Sequence, residues 1–341
     1  MTTTNGQDRA TYDVVVVGGG GAGLGGALTL ARSRRSVLVI DAGEPRNAPA
    51  DGVHGFLTRD GIAPAELLEL GRAEVRGYGG HLRGGRVVSA VRDGDGFVVT
   101  LDDGGSVGAR RLLVATGLVD ELPDVPGVRE RWGRDVIHCP YCHGWEARDR
   151  PIGVLATGPM AMHQVLLFRQ LTADLTFFAH TAPPNDDERE QLAARGIAVV
   201  DGEVASLTVA DDRLTGVRLR DGTVVEREVL AVAPRFHPRA DVLISLGLEV
   251  TEHPSGMGTE IAADANGQTA VPGVWVAGNV ANPAAQVLGA AAAGTWAAAI
   301  INADLVAEDT QRAVAARRDR VPVGSGAGVG EPAAGDRGHG S

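Results

Sequence analysis

Two cysteines, separated by two residues in the segment His-Cys-Pro-Tyr-Cys-His at 138–143, are the only ones in the chain. A Cys-x-x-Cys pair fits a dithiol/disulfide couple, half of a metal site or, when a histidine follows, a covalent haem attachment. Cys139, Cys142 and His143 match the haem pattern literally. A structural zinc site usually has four protein ligands, and the sequence has no second cysteine pair to supply them. From these residues alone, redox chemistry and haem attachment both stay open.

A run of glycines forms the second motif with chemical potential, Gly18-Gly-Gly20-Gly-Ala-Gly23. It follows a short apolar run and precedes an alanine- and leucine-rich segment, and the next apolar run ends in Asp41. This order predicts strand, glycine turn, helix and strand within about thirty residues. Gly18 permits the tight turn, Gly20 lets backbone amides approach a pyrophosphate, and Gly23 lets the helix pack on the sheet. With Asp41 placed to bind a ribose hydroxyl, the pattern predicts a dinucleotide site.

The elements that must position these motifs follow from periodicity along the rest of the chain. We predict paired strands at 86–92 and 96–101, a second strand–turn–helix unit from 151 to 178, a hairpin at 216–220 and 223–229, and a strand at 271–276 followed by an alanine-rich helix to about Asp304. The redox motif is expected at the start of a helix, whose dipole would favour a thiolate.

Bulk composition narrows the possible functions. A length of 341 residues predicts two domains, and 48 glycines with few aromatic residues fit an α/β protein with tight strand–helix turns. The net charge of −11 argues against nucleic acid as a partner, because phosphate binding needs a basic surface. The chain has no lysine, which excludes Schiff-base chemistry and a phosphate-loop lysine.

Targeting signals are not evident in the sequence. Residues 1–10 lack the basic start and apolar run of a signal peptide, and the stretch Val287–Ile301 is too short and too weakly apolar to span a bilayer. We therefore expect no membrane association and a cytoplasmic location. In that compartment a lone Cys-x-x-Cys is more often redox-active than structural.

The order of parts resembles the low-molecular-weight thioredoxin reductases and related flavoproteins over about residues 11–308. Besides the two motifs above, the signatures are Ala115-Thr116-Gly117 and Ala277-Gly278-Asn279-Val280. The resemblance implies an α/β protein with two Rossmann-like nucleotide-binding domains, the second inserted in the first, and a homodimer. It implies these bounds: 1–10 disordered, 11–118 and 249–308 for the two parts of the FAD-binding domain, 119–248 for the inserted NAD(P)H-type domain, and 309–341 for the helix end and a disordered tail.

The resemblance also assigns residues to FAD. It implies that Gly18, Gly20, Gly23 and Asp41 contact the adenosine and pyrophosphate. Ala115, Thr116, Gly117 and Gly278 belong to further cofactor-binding segments, and Asn279 and Gln286 are expected near the ribityl chain and the ring. In this context the two sulfurs lie beside a flavin, which removes the haem interpretation. No metal site is expected.

Three departures from the family pattern indicate a change of chemistry. His143 stands where the family has an acid, and an imidazole can take protons from incoming thiols. The phosphate turn of the inserted domain reads Ala156-Thr157-Gly158-Pro159, which crowds the backbone and removes an N–H donor. The pair of arginines that would clamp a 2′-phosphate is replaced by 178–188, which holds His180 and an acidic cluster. Arg169 or Arg189 could still fold back into the site.

This pattern resembles the gliotoxin- and holomycin-type dithiol oxidases, which keep FAD and Cys-x-x-Cys-His but neglect the nicotinamide site. The resemblance implies that a substrate thiolate attacks the Cys139–Cys142 disulfide, most simply at Cys139, while His143 takes the proton. Cys142 would then pass electrons to FAD, which dioxygen reoxidises with release of hydrogen peroxide.

Three functions are compatible with the sequence. The first is an oxidase of a small-molecule or peptide dithiol. The second is an NAD(P)H-dependent thioredoxin reductase with a thioredoxin-like partner, so that NADP(H) stays an open cofactor. The third is a flavin-bearing redox sensor without turnover. His54 is a weaker candidate for the substrate pocket, and Trp145 is expected to pack rather than to stack on a ligand.

Overall fold

The computed structural model of the protein describes residues 9–320. The first part of the chain, which contains the glycine motif, forms a sheet and two helices. The elements in chain order are β1 (Thr11–Val17), α1 (Gly21–Arg32), β2 (Val37–Asp41), α2 (Pro64–Gly77), β3 (His81–Gly84), β4 (Val87–Asp93), β5 (Gly96–Leu101) and β6 (Ser106–Val114). The strands are ordered β3-β2-β1-β6-β5-β4. The valines at the end of β1 are buried on both faces, as expected for a central parallel strand.

The middle of the chain forms a second, separate parallel sheet. Its elements are β7 (Leu118–Glu121), α3 (Val128–Arg131), β8 (Val136–Ile137), α4 (Pro140–His143), β9 (Ile152–Leu155), α5 (Met160–Phe168), β10 (Leu175–Phe178), α6 (Asp186–Ala194), β11 (Ala198–Val200), β12 (Val204–Ala210), β13 (Arg213–Leu219), β14 (Val224–Glu226), β15 (Val229–Val232) and β16 (Arg235–Pro238). The parallel sheet has the order β11-β10-β9-β15-β8, and β12-β13-β14 form an antiparallel one. β7 and β16, which enter and leave this part, pair antiparallel with each other.

The chain then returns to the first sheet. The remaining elements are α7 (Asp241–Ser245), β17 (Val250–Glu252), β18 (Thr259–Ile261), β19 (Val274–Val276), a 3-10 turn (Gly278–Val280) and α8 (Val287–Arg320). β19 adds to the first sheet by pairing parallel with β6, Val276 opposite Val114. The first sheet is therefore completed only after the second has been built. The predicted α/β fold, with two Rossmann-like domains and the second inserted in the first, is confirmed.

Several predicted bounds were wrong. The segment 223–229 was predicted as one strand, but it is divided between β14, which belongs to the antiparallel sheet, and β15, which lies in the parallel one. The helix after Gly278 runs to Arg320 rather than to about Asp304. The predicted helix at the redox motif is a single four-residue turn, α4. Disorder was predicted for residues 1–10 and for a tail within 309–341; of these segments, residues 1–8 and 321–341 lie outside the described part of the chain.

The long helix α8 belongs to two units. One unit ends at Asn302 and the other begins at Ala303. By length and composition alone α8 could cross a membrane, with a hydropathy of 1.3 and 33% of its most apolar window buried. In its first half, however, it packs on α1: a Cβ at Gly294 would lie 1.8 Å from the Ala22 carbonyl oxygen. This part of α8 is a core helix of the first sheet's domain.

Candidate active site

The glycine turn after β1 has the geometry of a phosphate cradle. Gly18 adopts φ +105°, and a Cβ there would lie 2.4 Å from the carbonyl oxygen of Ala115. A Cβ at Gly23 would collide with the Gly18 carbonyl at 1.9 Å, whereas one at Gly20 would meet nothing within 4 Å. Gly20 is also the N-cap of α1, and glycine has no side chain that could cap the helix amides. The free amides at this helix end therefore face open space, where an anion is stabilised.

Asp41 stands at the end of β2 against this turn. Its carboxylate accepts hydrogen bonds from the Gly19 amide at 3.1 Å and from the Arg72 guanidinium at 3.3 Å. A carboxylate accepts about four hydrogen bonds, so Asp41 keeps lone pairs for a ribose. The arginine was not found from the sequence, because it lies on α2 with no motif around it.

The segment after β6 approaches the same turn. Ala115 donates its amide to Val17, and the Thr116 hydroxyl donates to the Arg239 carbonyl at 2.7 Å. Gly117 has φ +73°, and its carbonyl accepts from the Arg239 amide at 3.0 Å. The Thr116 proton is thus used to fix the backbone that follows β16, and it is not free for a ligand.

Asn279 holds the turn that follows β19. Gly278 before it adopts φ +77°. The side-chain amide of Asn279 donates to the carbonyls of Asn282, Pro283 and Ala285 at 3.0, 3.3 and 2.8 Å. The resemblance implied that this side chain lies near the ribityl chain and ring of a flavin. The structure gives the amide protons to the chain itself, which leaves the amide oxygen as the group available to a cofactor.

One cavity of about 550 Å³ joins these segments to the redox motif. Every sequence-predicted site residue except Gly23 lines it: Gly18, Gly20, Asp41, Ala115, Thr116, Gly117, Cys139, Cys142, His143, Gly278, Asn279 and Gln286. Gly23 lies behind the turn and acts through packing. The cradle, the acid and a cavity that both of them line fit a dinucleotide cofactor. Within residues 9–320 no group of three or more His, Cys, Asp or Glu side chains is arranged around a metal position.

The two cysteines form an unequal pair. Their Sγ atoms lie 2.7 Å apart, and both residues are half-buried. The hydrogen bond from the Cys142 thiol is the largest effect that lowers the pKa of Cys139, to about 7, and the amides of Tyr141 and Cys142 and the charge of Arg46 add to it. The same hydrogen bond and burial raise the pKa of Cys142. A reduced pair therefore shares one proton at neutral pH, with the negative charge on Cys139.

The predicted helix dipole contributes little to this thiolate, because α4 is one turn long. Cys139 is its N-cap, and the amides of Cys142 and His143 both point back to the Cys139 carbonyl, at 3.2 and 3.1 Å. The local amides and the partner thiol therefore stabilise the Cys139 thiolate, a role that the sequence analysis assigned to the dipole of a longer helix.

Arg46 was missed by the sequence and lies beside the pair. Its guanidinium donates two hydrogen bonds to Asp120, at 2.8 and 2.6 Å, and stands 5.0 Å from the centre of the Phe236 ring. Phe236 contacts the His138 ring edge-on, with centroids 5.4 Å apart. Asp120 belongs to β7 and Phe236 to β16, so Arg46 ties the two connecting strands to the redox motif. Its positive charge lowers the pKa of both cysteines.

His143 is buried at its ring nitrogens. Neither nitrogen has a hydrogen-bond partner among the described residues. Burial lowers the pKa of His143, against the carboxylates of Glu146 and Asp51, which raise it. The imidazole is therefore neutral at pH 7 and has a free lone pair, which is the state a proton acceptor needs.

His54 and Trp145 differ in their positions. His54 lines the cavity, whereas Trp145 does not. Trp145 was expected to pack, but its side chain is 66% exposed, with the Arg148 guanidinium 4.2 Å above the ring centre.

Comparison with known proteins identifies the family. The profile of the pyridine nucleotide-disulphide oxidoreductases matches residues 12–303. The chain belongs to this family. A protein named thioredoxin reductase sirT from Leptosphaeria maculans is 32% identical over 317 residues, which cover 87% of this chain and 95% of that protein. The crystal structure of HlmI superposes with a TM-score of 0.86 at 47% identity, over 93% of this chain and 99% of that one.

A further solved structure, an oxidoreductase from Agrobacterium tumefaciens, gives a TM-score of 0.81 at 38% identity, over 87% of this chain and 99% of that one. These relatives confirm the resemblance to thioredoxin reductase-like flavoproteins. This member of the pyridine nucleotide-disulphide oxidoreductases is an FAD-dependent thiol–disulfide oxidoreductase.

Proposed function

We propose that this oxidoreductase converts a small-molecule or peptide dithiol to its disulfide and uses molecular oxygen as the final electron acceptor. The observation that carries the proposal is the inserted domain, which keeps its nucleotide-binding fold but directs neither Arg169 nor Arg189 to the place of the 2′-phosphate of NADPH. A phosphate on this domain would have to bind at the turn 156–159 and beside the segment that follows β10.

Both arginines that could return to this site are engaged elsewhere. Arg169 donates to the carbonyls of Arg195 and Thr172 at 2.8 and 3.0 Å. Arg189 pairs with Asp201 at 2.7 Å. A 2′-phosphate is a dianion that is usually bound by a bidentate guanidinium, and neither side chain is directed to it.

The remaining groups after β10 oppose a phosphate. The Nδ1 atom of His180 accepts the Val204 amide at 3.0 Å, and burial lowers the pKa of this histidine, so it brings no positive charge. The first turn of α6 carries Asp186, Asp187 and Glu188. Three carboxylates near a dianion are repulsive.

The helix α5, which follows the turn 156–159, lines the cavity that contains the two cysteines. Met160, His163, Gln164 and Leu167 follow one face of α5 and line the cavity that contains the two cysteines. In a nicotinamide-dependent enzyme this helix end would bind pyrophosphate. Here its side chains supply a wall for a bound dithiol.

The cysteine pair and His143 support the chemistry of dithiol oxidation. His143 takes the proton of the first substrate thiol, and the thiolate attacks Cys139, so that the Cys139–Cys142 bond breaks and Cys142 leaves and becomes protonated. The second substrate thiol then attacks the mixed disulfide, and Cys139 leaves as the thiolate that the Cys142 thiol stabilises. A thiol of low pKa leaves faster, which speeds the release of Cys139 from the mixed disulfide in this second step. FAD, when bound, supplies the two-electron acceptor that oxygen can reoxidise.

Oxygen uptake with dithiothreitol as surrogate substrate tests the proposal. We expect dithiol-dependent oxygen consumption well above that of free FAD, with hydrogen peroxide as product. The Cys142→Ser variant, matched in size, is the control and should consume oxygen no faster than free FAD. A wild-type rate equal to free FAD would favour a redox sensor over an enzyme.

An NAD(P)H-dependent thioredoxin reductase is the second candidate, because relatives such as the Leptosphaeria maculans protein carry that name. Its partner would be a thioredoxin-like protein. Prompt reduction of a thioredoxin by NADPH through this enzyme would favour it over the oxidase.

We further propose a homodimer. Leu288 and Trp296 on the first half of α8 are 43% and 55% exposed, an apolar surface that a second copy would bury. Light scattering should give twice the monomer mass of 35.2 kDa, and a monomer would contradict the proposal. The cytoplasmic location stays a prediction.

A further inference from the structure

The loop that carries His54 is closed by its own backbone. Val53 donates its amide to Ile62 and accepts from Gly61, both at 2.8 Å. Gly55 adopts φ +71°, and its amide donates to Asp60 at 2.8 Å. These bonds hold His54 in the wall of the cavity that contains Cys139, Cys142 and His143.

His54 connects the cavity with two exposed carboxylates. Its Nδ1 atom lies 3.4 Å from Asp60, and its Nε2 atom lies 3.6 Å from Glu146. The side chain of His54 is 26% exposed, against 68% for Asp60 and 49% for Glu146. Because Glu146 follows the redox motif while Asp60 lies on the loop of His54 itself, the histidine links this loop to the segment that carries the cysteines.

Dithiol exchange at this site releases one proton that the two cysteines do not retain. The substrate loses two protons as its S–S bond forms, and the Cys139–Cys142 bond breaks into one thiol and one thiolate. One proton is retained on Cys142, since the pair shares a single proton at neutral pH. The second must leave. His143 can take it first, and because neither of its ring nitrogens is hydrogen-bonded within residues 9–320, a second group is needed to carry the proton to solvent.

We propose that His54 is the second proton-transfer residue of the dithiol centre, which receives the proton from His143 and passes it to solvent through Glu146 and Asp60. The charged groups around this route are the carboxylates of Asp60, Glu146 and Asp51, of which the last two raise the pKa of His143. The inference rests on the dithiol exchange of the proposed function but not on its oxygen step, and the route serves either direction of exchange.

The test is anaerobic quenched-flow reduction of the protein disulfide in the FAD-loaded enzyme. Dithiothreitol is the reductant, and the freed Cys139 and Cys142 are alkylated and counted by mass spectrometry. We expect His54→Gln to slow the exchange about 10-fold at pH 7 and imidazole in the buffer to restore part of the rate. The control is His253→Gln, because His253 also stands 3.6 Å from a carboxylate, Glu260, but outside the cavity. It should react at the wild-type rate.

A second variant tests the route without loss of the histidine. Asp60→Asn combined with Glu146→Gln changes only exposed side chains, and we expect it to slow the exchange several-fold while FAD content stays that of the wild type. A wild-type rate in either variant overturns the proposal. A slow His54→Gln enzyme that imidazole does not restore overturns it as well, since that result indicates packing. Because oxygen is absent, failure of the oxidase function leaves this measurement interpretable.

Discussion

The Sγ atoms of Cys139 and Cys142 lie 2.7 Å apart and differ in proton affinity, with the negative charge on Cys139. Because of this difference, the two sulfurs have different roles in a dithiol centre. In the proposed function, Cys139 is the sulfur that exchanges with substrate, and Cys142 holds the shared proton.

Cys142→Ser should keep FAD and lose dithiol turnover. Serine preserves the size of the side chain but cannot form the disulfide, so a substrate thiolate finds no S–S bond to attack and the exchange does not begin. The measurement is flavin content together with oxygen uptake on dithiothreitol. Turnover in this variant would remove Cys142 from the mechanism.

The reactivity of reduced Cys139 should follow its lowered pKa. Below pH 7 the thiol is protonated and slow, and above it the thiolate reacts, so iodoacetamide alkylation should rise with a midpoint at about pH 7. Cys142→Ala removes the hydrogen bond that is the largest effect on Cys139, so the midpoint should move upward, towards the ordinary value of 9.0. Equal midpoints in the two proteins would show that the partner thiol has no such effect.

Gly20→Ala and Gly23→Ala should separate cofactor binding from folding. A Cβ at Gly20 meets no protein atom within 4 Å but enters the phosphate cradle, so we expect a folded protein that binds FAD about 10-fold more weakly. A Cβ at Gly23 meets the Gly18 carbonyl at 1.9 Å, so this variant should lose stability itself. FAD titration and thermal melting of each apoprotein provide the comparison. Wild-type FAD affinity in Gly20→Ala would place the pyrophosphate elsewhere.

Asn279→Asp should weaken the turn that leads into α8. The change replaces an amide that donates to three carbonyls by a carboxylate that repels them, at a cost of about 1–3 kcal/mol of unfolding free energy. Asn266→Asp is the matched control, because Asn266 accepts a hydrogen bond from Trp296 and a carboxylate can do the same. Urea unfolding should show a loss in the first variant only; equal losses would assign the effect to the added charge.

The sequence predicted the parts of the site that have local signatures. The glycine turn, Asp41 and the redox motif each occupy a short segment whose spacing carries the chemistry, and all lie at one cavity. Helix length at the redox motif was overestimated, because its proline and cysteines do not show that the helix stops after one turn.

Site residues whose contacts join segments far apart in the sequence could not be predicted. Arg46 reaches Asp120 over 74 positions, and Gln164 donates to the His138 carbonyl over 26 positions. Neither residue has a motif around it, and the contact exists only once the connecting strands have paired. The arginines of the inserted domain show the same limit, since only the structure reveals that Arg169 and Arg189 are bonded elsewhere.

The most direct test of this account is an anaerobic reduction of the bound flavin, followed by its yellow absorbance, with dithiothreitol in one experiment and NADPH in the other. We predict that the dithiol bleaches the flavin of the wild type but not that of Cys142→Ser, and that NADPH leaves it yellow. Prompt bleaching by NADPH would contradict the account, because electrons would then enter through the inserted domain.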